Sequence, residues 1–356
     1  MRDPLSGRGN DSSRERTALV TGITGQDGAC LAQLLLAKGY RVTGTTRSLA
    51  SANFWRLEEL GIKGHASLEI VELDVADSMR CLETVRAANA AEIYNLGGLS
   101  FIGDSFADPL NTARVTGLGA WNLLEAVRTV RPETRFFQAS SSEMFGVPAY
   151  SPQDEDTAFN PRSPYAAAKV IAHWATVSYR ETFGVFAASG ILYNHESPLR
   201  DIRFVTRKIT SAVARIKIGA QEGVELGNLD AQRDWGYAPE FAEAMWLILQ
   251  AEIPDSYVLA TNTLTSVRSF VGAAFKAAGI EIRWQGQGLA ETGVDTRTGK
   301  VRVRVSAEFF RAAETSLLRG NPRKSGRVLG WKAATPVEEI CRLMVTSDLR
   351  RLERGN

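Results

Sequence analysis

The regular pattern of the chain begins at Thr17, where T-A-L-V-T is a short, apolar and partly β-branched run that predicts a strand. Gly22-Ile23-Thr24-Gly25-Gln26-Asp27-Gly28 comes next, and apolar residues at helical spacing from Leu31 to Ala37 then end at Lys38-Gly39. Strand, glycine turn, helix and closing glycine are the start of a βαβ unit. The alternation continues, with strands predicted over Arg41–Thr46, Leu68–Leu73, Ile93–Leu96 and Arg135–Ala139 and helices over Trp121–Thr129 and Tyr165–Ser178. Such a rhythm predicts an α/β fold with a doubly wound parallel sheet, whose ligands cross the carboxyl ends of the strands. Asp74, Leu96 and Ser140 fall at such ends. After about Ile191 the rhythm is lost. Leu199–Lys217 reads as basic and helical, and the glycine-rich, charged stretch Gln285–Val305 as a loop or a pair of short strands.

Composition narrows the partners. The chain has 356 residues, 44% hydrophobic and 23% charged, a typical soluble balance that guarantees a packed core. Its 42 basic and 40 acidic residues are spread along the sequence for a net charge of +2, so no field of one sign recruits nucleic acid or an anionic membrane. A small ligand is the expected partner. Cys30, Cys81 and Cys341 are odd in number, far apart and in no C-x-x-C pair, which argues against a disulfide framework or a zinc site and for a reducing, cytoplasmic setting. No apolar run approaches the roughly twenty residues of a membrane span. Residues 1–16 have no apolar secretory core and read as a disordered lead-in.

The glycine turn carries the first chemical signal. Between a strand and a helix, glycines let the backbone approach a pyrophosphate while the helix N-terminus offers N–H groups and the positive end of its dipole. This predicts a Rossmann-type dinucleotide site. The second strand ends in Thr45-Thr46-Arg47-Ser48 with no acid for a ribose 2′-OH, and arginine suits the 2′-phosphate of NADP, so NADP is expected over NAD. Arg47 could also be an ordinary solvated arginine, and Asp74 an ordinary helix N-cap.

The second signal lies between Gln138 and Lys169, where Ser141, Glu143, Tyr165 and Lys169 supply a hydroxyl, a carboxylate, a phenol and an ammonium. Tyr165 and Lys169 are four apart on a helix that starts after Pro164, so they share a face. A tyrosine titrates near pH 10, and a neighbouring cation with an oxidised nicotinamide favours its phenolate, a base for an alcohol being oxidised. Y-x-x-x-K also occurs in ordinary amphipathic helices. Its position behind a dinucleotide turn and a serine-rich strand end favours chemistry.

These residues carry a family resemblance. The glycine turn, the serine-rich strand end and Y-x-x-x-K resemble the extended short-chain dehydrogenase/reductase superfamily. G-I-T-G-Q-D-G at Gly22–Gly28, Q-A-S-x-S-E at Gln138–Glu143, P-R-S-P-Y at Pro161–Tyr165, N-H-E-S-P at Asn194–Pro198, V-T-R-K-I-T at Val205–Thr210 and L-G-N-L-D-x-x-R-D-W-G at Leu226–Gly236 narrow the likeness to the GDP-mannose 4,6-dehydratase family. The likeness runs through nearly the whole chain after residue 16. It implies that Ser141, Glu143 and Tyr165 are catalytic and that Lys169 supports the tyrosine. It implies an NADP site lined by Gly22, Ile23, Thr24, Gly25, Gln26, Asp27, Gly28, Arg47, Asp74, Val75, Leu96, Gly97, Gly98, Ser100, Lys169, His195 and Arg200. Asn194, Val205, Lys208, Gly227 and Arg233 would face the nucleotide sugar together with the catalytic three, and Arg311 and Glu314 belong to a block the family writes R-P-A-E-V. Arginine and lysine suit a diphosphate, although Arg233 and Arg311 could equally be surface charges.

The expected division is a dinucleotide-binding part over 17–191, with return segments near 228–257, and a smaller mixed α/β nucleotide-sugar-binding part over 192–227 and 258–350. The implied reaction oxidises C4, loses the 6-hydroxyl as water and returns the hydride to C6, giving a 4-keto-6-deoxy sugar. Ser141 stands where the family has threonine, Leu99 and Asn111 where it has glutamine and tyrosine, and Ala312 where it has proline, so the sugar and the grip on the cofactor are open to variation. An epimerase or reductase of the same superfamily, or a cofactor-binding regulator, are the competing readings. The family implies a homodimer or homotetramer, with Arg47–Trp55 a candidate contact unless Phe54 and Trp55 pack locally.

Overall fold

A computed structural model describes residues 16–310 and 317–355. The strands are β1 (Thr17–Thr21), β2 (Arg41–Thr46), β3 (Leu68–Glu72), β4 (Glu92–Asn95), β5 (Arg135–Ser141), β6 (Ala187–Leu192), β7 (Asn194–Glu196), β8 (Val224–Leu226), β9 (Gln232–Tyr237), β10 (Ser256–Leu259), β11 (Leu264–Ser266), β12 (Ile282–Gln285), β13 (Thr292–Asp295) and β14 (Val301–Val305). The helices are α1 (Gln26–Ala37), α2 (Trp55–Glu59), α3 (Ser78–Ala88), α4 (Ile102–Ala107), α5 (Pro109–Thr112), α6 (Gly119–Val130), α7 (Pro164–Phe183), α8 (Val205–Lys217), α9 (Ala238–Gln250), α10 (Val267–Ala277), α11 (Arg323–Leu329) and α12 (Val337–Glu353), with a π-helical turn over Ala113–Leu118.

Seven parallel strands form the main sheet in the order β10-β6-β5-β4-β1-β2-β3, the doubly wound arrangement expected from the alternation. Both faces are covered, and neighbouring side chains on a strand enter different cores. Ala18 and Val20 pack with Leu31 and Leu35 of α1 and Phe241 and Met245 of α9. Leu19, between them, joins Leu123 and Val127 of α6 and Phe136 of β5 on the other face. A third core holds the later part of the chain together, built from Ile209 and Val213 of α8, Phe270 and Val271 of α10 and Met344 of α12. Above it lie a three-stranded sheet, β11-β9-β7, and a four-stranded sheet, β12-β13-β14-β8. Gln285–Val305 thus holds β13 and β14, an antiparallel pair.

Local chemistry moved several element ends. Helix α1 starts at Gln26, before the apolar pattern at Leu31, because Gly28 lies against the glycine turn where a Cβ would meet the Gly22 carbonyl at 2.4 Å. The helix of Leu199–Lys217 begins only at Val205. Upstream, Ser197 Oγ accepts the Leu199 N–H and Asp201 Oδ1 accepts the Arg203 N–H, local bonds that compete with a helix. Helix α7 has strong stop signals: Ser163 caps it by accepting the Ala166 N–H at 3.1 Å, Pro164 opens it, and Gly184 at φ 68° closes it.

Candidate active site

The carboxyl edge of the sheet is tied into one polar seam. Buried Thr21 donates its hydroxyl to Asn95 Oδ1 at 2.7 Å, and Asn95 Nδ2 donates to Gln138 Oε1 at 2.8 Å. Thr21 Oγ1 also accepts the Leu96 and Gly97 N–H groups at 3.1 and 2.9 Å. Strand ends β1, β4 and β5 are thereby fixed relative to one another, as buried polar groups require.

Beyond that edge, β5 and α7 bring Ser141, Glu143, Tyr165 and Lys169 into one cleft of about 120 Å³. Ser141 Oγ accepts the Glu143 N–H at 3.2 Å, which caps a short 3₁₀ turn, and its hydroxyl is also hydrogen-bonded to the Tyr165 phenol. Burial pushes the phenol up to about 12, with Glu143 adding to the rise and the Ser141 bond opposing it. Lys169 is buried and its ammonium is pushed down to about 8 by that burial, the Asp27 carboxylate holding it up in part. Its Nζ donates to the Ala139 carbonyl at 2.7 Å and stands 5.8 Å from the centre of the Tyr165 ring. Tyrosine and lysine share a helix face as their spacing predicted, but the ammonium is anchored to the β5 backbone.

On the dinucleotide side, Gly22 at φ +69° turns the chain after β1. No side chain caps α1 at Gly25, so its first N–H groups are available to an anion. Gly22, Thr24, Gly25, Gln26, Asp27, Gly28 and Arg200 line a cavity of about 300 Å³ at this helix end. A second cavity of about 290 Å³ is lined by exposed Arg47 at the end of β2, with Asp74, Val75, Gly97 and Leu99. Ser100 belongs to the first of these and to the catalytic cleft, and Leu96 and Gly98 line it too. An uncapped helix end next to a cavity with an arginine and a serine fits a phosphorylated dinucleotide.

Two expected positions behave differently. Ile23 is fully buried beneath Gly44, and its N–H is donated to the Thr45 carbonyl at 3.1 Å, so it lines neither of these two cavities. Asp74 is not the cap of α3; Asp77 is, accepting from Met79 and Arg80, while Asp74 accepts the Ala76 N–H at 3.0 Å.

The glycine turn is clamped from far along the chain. Gln26 Nε2 donates to the His195 carbonyl at 3.0 Å, and Gln26 Oε1 accepts from Ser197 at 2.8 Å. Asp27 Oδ1 pairs with His195 Nε2 at 3.0 Å, and His195 Nδ1 lies 2.6 Å from the Tyr193 carbonyl, with the ring stacked on Phe241. Nδ1 faces a carbonyl and Nε2 a carboxylate oxygen, an arrangement that favours the protonated ring. Burial opposes both charges, but His195, Gln26 and Arg200 outweigh it at Asp27 and hold that carboxyl well below its usual range, and Asp27 in turn raises His195.

The residues expected to face the sugar line a third cavity of about 400 Å³, with Val205 and Lys208 from α8, Gly227 after β8 and Arg233 on β9. Phe309 forms its far wall, with Lys208 Nζ 4.0 Å above the ring. Asn194 opens into the catalytic cleft, and Phe204 and Ile102 are shared between that cleft and the sugar-facing cavity. Arg311 and Glu314, with Ala312, lie outside the described residues, as do residues 1–15.

Sequence reasoning missed several residues. Arg56 lines the helix-end cavity and bridges halves of the chain, donating to the Leu199 carbonyl at 2.7 Å and the Thr24 carbonyl at 3.1 Å. His173 sits one turn after Lys169, its Nδ1 2.9 Å from Ser140 Oγ, and burial pushes it down to about 4. The i, i+4 spacing from Lys169 was its available signal. Asn111 bonds Arg114 at 3.4 Å and lines none of the cavities described above. Phe54 and Trp55 are half-buried against the main core, Trp55 beneath the guanidinium of Arg351 at 5.0 Å, which is the local packing alternative.

Seven parallel strands, a glycine turn at an uncapped helix, a serine at the end of β5 and a phenol and lysine on α7 beside it define a dinucleotide-dependent enzyme of the short-chain dehydrogenase/reductase type. Solved structures agree on the fold: a dTDP-glucose 4,6-dehydratase from Streptomyces venezuelae with NAD and TYD bound superposes with a TM-score of 0.78 at 19% identity, over 95% of this chain and 98% of that one. The family model described as GDP-mannose 4,6 dehydratase matches residues 19–344, and the chain belongs to that family. A GDP-mannose 4,6-dehydratase of Sinorhizobium fredii (strain HH103) is 47% identical over 95% of this chain and 97% of its own length. GDP-mannose 4,6 dehydratase 2 of Caenorhabditis elegans is 46% identical over 96% and 91%.

Proposed function

We propose that the chain catalyses the NADP-dependent 4,6-dehydration of GDP-mannose to GDP-4-keto-6-deoxymannose. The observation that carries this reading is the meeting of Ser141, Glu143, Tyr165 and Lys169 in one cleft, between phosphate-suited cavities and a cationic, aromatic one. A superfamily member that only oxidises or epimerises C4 has no need of a carboxylate at Glu143. Family membership supports the substrate, and Arg47 without an acid at the end of β2 supports NADP over NAD.

Bound NADP supplies the hydride acceptor for C4 and the donor for C6. Tyr165 takes the O4 proton; in the ligand-free cleft its phenol is neutral, so it becomes a base only with added positive charge beside it. Ser141 holds O4 and stabilises the developing carbonyl. The C4 ketone acidifies C5, and Glu143 carries the C5 proton to the departing 6-hydroxyl, which leaves as water. The O4 proton held by Tyr165 matches the one C5 regains, so the reaction closes with loss of one water. Glu143→Gln is expected to keep NADP bound and to lower water loss by roughly 10²–10⁴-fold, measured as alkali-induced absorbance of the 4-keto sugar formed from GDP-mannose. Near-normal turnover of that variant would sink the assignment, an isomeric sugar without dehydration would mark an epimerase, and no reaction by the wild type a regulator.

Three further assignments belong to this reading. The division into a dinucleotide part and a nucleotide-sugar part follows the separation of cavities and cores, with α9 and β10 returning to the main sheet. The cytosol is the compartment, supported by three buried free cysteines; among the described residues no helix is long and apolar enough to cross a membrane. The chain assembles as a homodimer or homotetramer, and the outer face of α6 and α7, where Trp121, Ile171, Trp174 and Phe183 are exposed, is a candidate contact beside Arg47–Trp55. Mass photometry of Trp174→Glu is expected to show dissociation to monomer.

A further inference from the structure

The π-helical turn over Ala113–Leu118 interrupts the run of helix from α5 to α6 behind the cofactor-side cavities. Such turns are rare and gather at functional sites, because one extra residue re-aims the side chains around it. Here it aims two. Thr116, only 2% exposed, turns its hydroxyl oxygen to the loop after β4, accepting the Leu99 N–H at 3.0 Å. The same hydroxyl packs on Gly98, where an added Cβ would meet Thr116 Oγ1 at 3.3 Å. Gly117 faces the other way, onto α7, where a Cβ would approach the Ala168 carbonyl to 3.3 Å, one residue before Lys169.

The loop that Thr116 holds is the wall between the site's compartments. Gly98 lines the catalytic cleft, the helix-end cavity and the Arg47 cavity alike, and Leu99 lines the last. Its start is fixed by Thr21, which accepts from Leu96 and Gly97. Its far end relies on Thr116. We propose that Thr116, presented by the π-helical turn, is a positioning residue that holds the Gly98–Leu99 wall in the shape that receives the dinucleotide. This rests on the reading of these cavities as an NADP site.

The threonine hydroxyl is the only group that Thr116→Val removes, at nearly constant shape, and Thr116→Ser returns it. Thr116→Val leaves the Leu99 N–H without its acceptor, and is expected to weaken NADP binding roughly tenfold by calorimetry with kcat at saturating cofactor little changed. Amide exchange over residues 96–100 of the cofactor-free protein is expected to quicken in Thr116→Val. Thr116→Ser is expected to restore both, which a bulk loss of packing would not allow. Thr116→Val with wild-type affinity and wild-type exchange overturns the proposal, as does a Thr116→Ser variant as impaired as the valine. If the wild type itself binds no NADP, the cofactor reading fails. The exchange measurement then still decides whether Thr116 holds the wall.

Discussion

The catalytic edge of the sheet and the sugar-facing cavity are built on opposite plans. At the edge, polar groups are buried and bonded in fixed pairs: Thr21 to Asn95, Asn95 to Gln138, Lys169 to Ala139, Asp27 to His195. Around the sugar-facing cavity, cations lie over rings instead, Lys208 over Phe309, Arg200 over Phe204 at 3.7 Å and Arg203 over Phe101 at 4.8 Å, while Phe101 meets Phe204 edge-on at 5.7 Å. Hydrogen bonds fix angles, whereas stacked cations and rings tolerate sliding. On the proposed mechanism, proton transfer is then preorganised and sugar recognition adaptable, so substitutions should cost most at the edge.

The steepest test is Tyr165→Phe, which removes the phenolic oxygen and keeps the ring. Turnover is expected to fall by roughly 10²–10⁴-fold in a steady-state assay with GDP-mannose, with NADP still bound.

Next comes the Asp27–His195 pair. Asp27 titrates below its usual 3.8, so its contribution to stability is present above about that pH and is lost as pH falls through the lower folded value. His195 titrates above its usual 6.5, so its contribution is complete below about that pH and fades as pH rises through the higher folded value. The melting-temperature gap between wild type and His195→Gln is expected to be widest between those two limits, at roughly 5 °C, and to narrow on either side. A gap that does not vary with pH would mean that the pair is not ionised as the geometry requires.

Arg47→Ser is expected to erode the preference for NADP over NAD about tenfold, read as the ratio of the two dissociation constants. The smallest effect belongs to the sugar-facing rim. Arg203 is half-exposed and paired to Asp104 at 2.8 Å, and Arg203→Ala is expected to raise KM no more than a few-fold and leave kcat alone. A large kcat loss there would erase the contrast between the two regions.

Periodicity carried far in one half and little in the other. Every strand of the main sheet up to β5 was legible because a parallel sheet covered on both faces demands continuous apolar runs and regular crossovers. The meeting of Ser141, Glu143, Tyr165 and Lys169 in one cleft was legible because two motifs placed them at one strand end and on one helix. Arg56 and Thr116 were not, since each acts through a backbone group that the fold alone brings near: Arg56 reaches Leu199 and Thr116 reaches Leu99. Ile23 misled for the complementary reason, because its position in the glycine turn says nothing of the side chain beneath Gly44. The cavity walls supplied by Phe204 and Phe309 lie on irregular segments, where no period marks which ring faces inward.

The clamp on the glycine turn has a consequence for how the protein is made. Gln26 and Asp27 emerge early from the ribosome, but their partners His195 and Ser197 follow only after more than half of the chain, the Gln26–Ser197 bond spanning 171 positions. The sheet itself is not complete until β10 pairs with β6. A nascent chain halted before residue 194 therefore carries a glycine turn without its Gln26 and Asp27 clamp, held only by nearer contacts such as Ile23 to Thr45 and Arg56 to Thr24, and cofactor is expected to be captured firmly only late in synthesis.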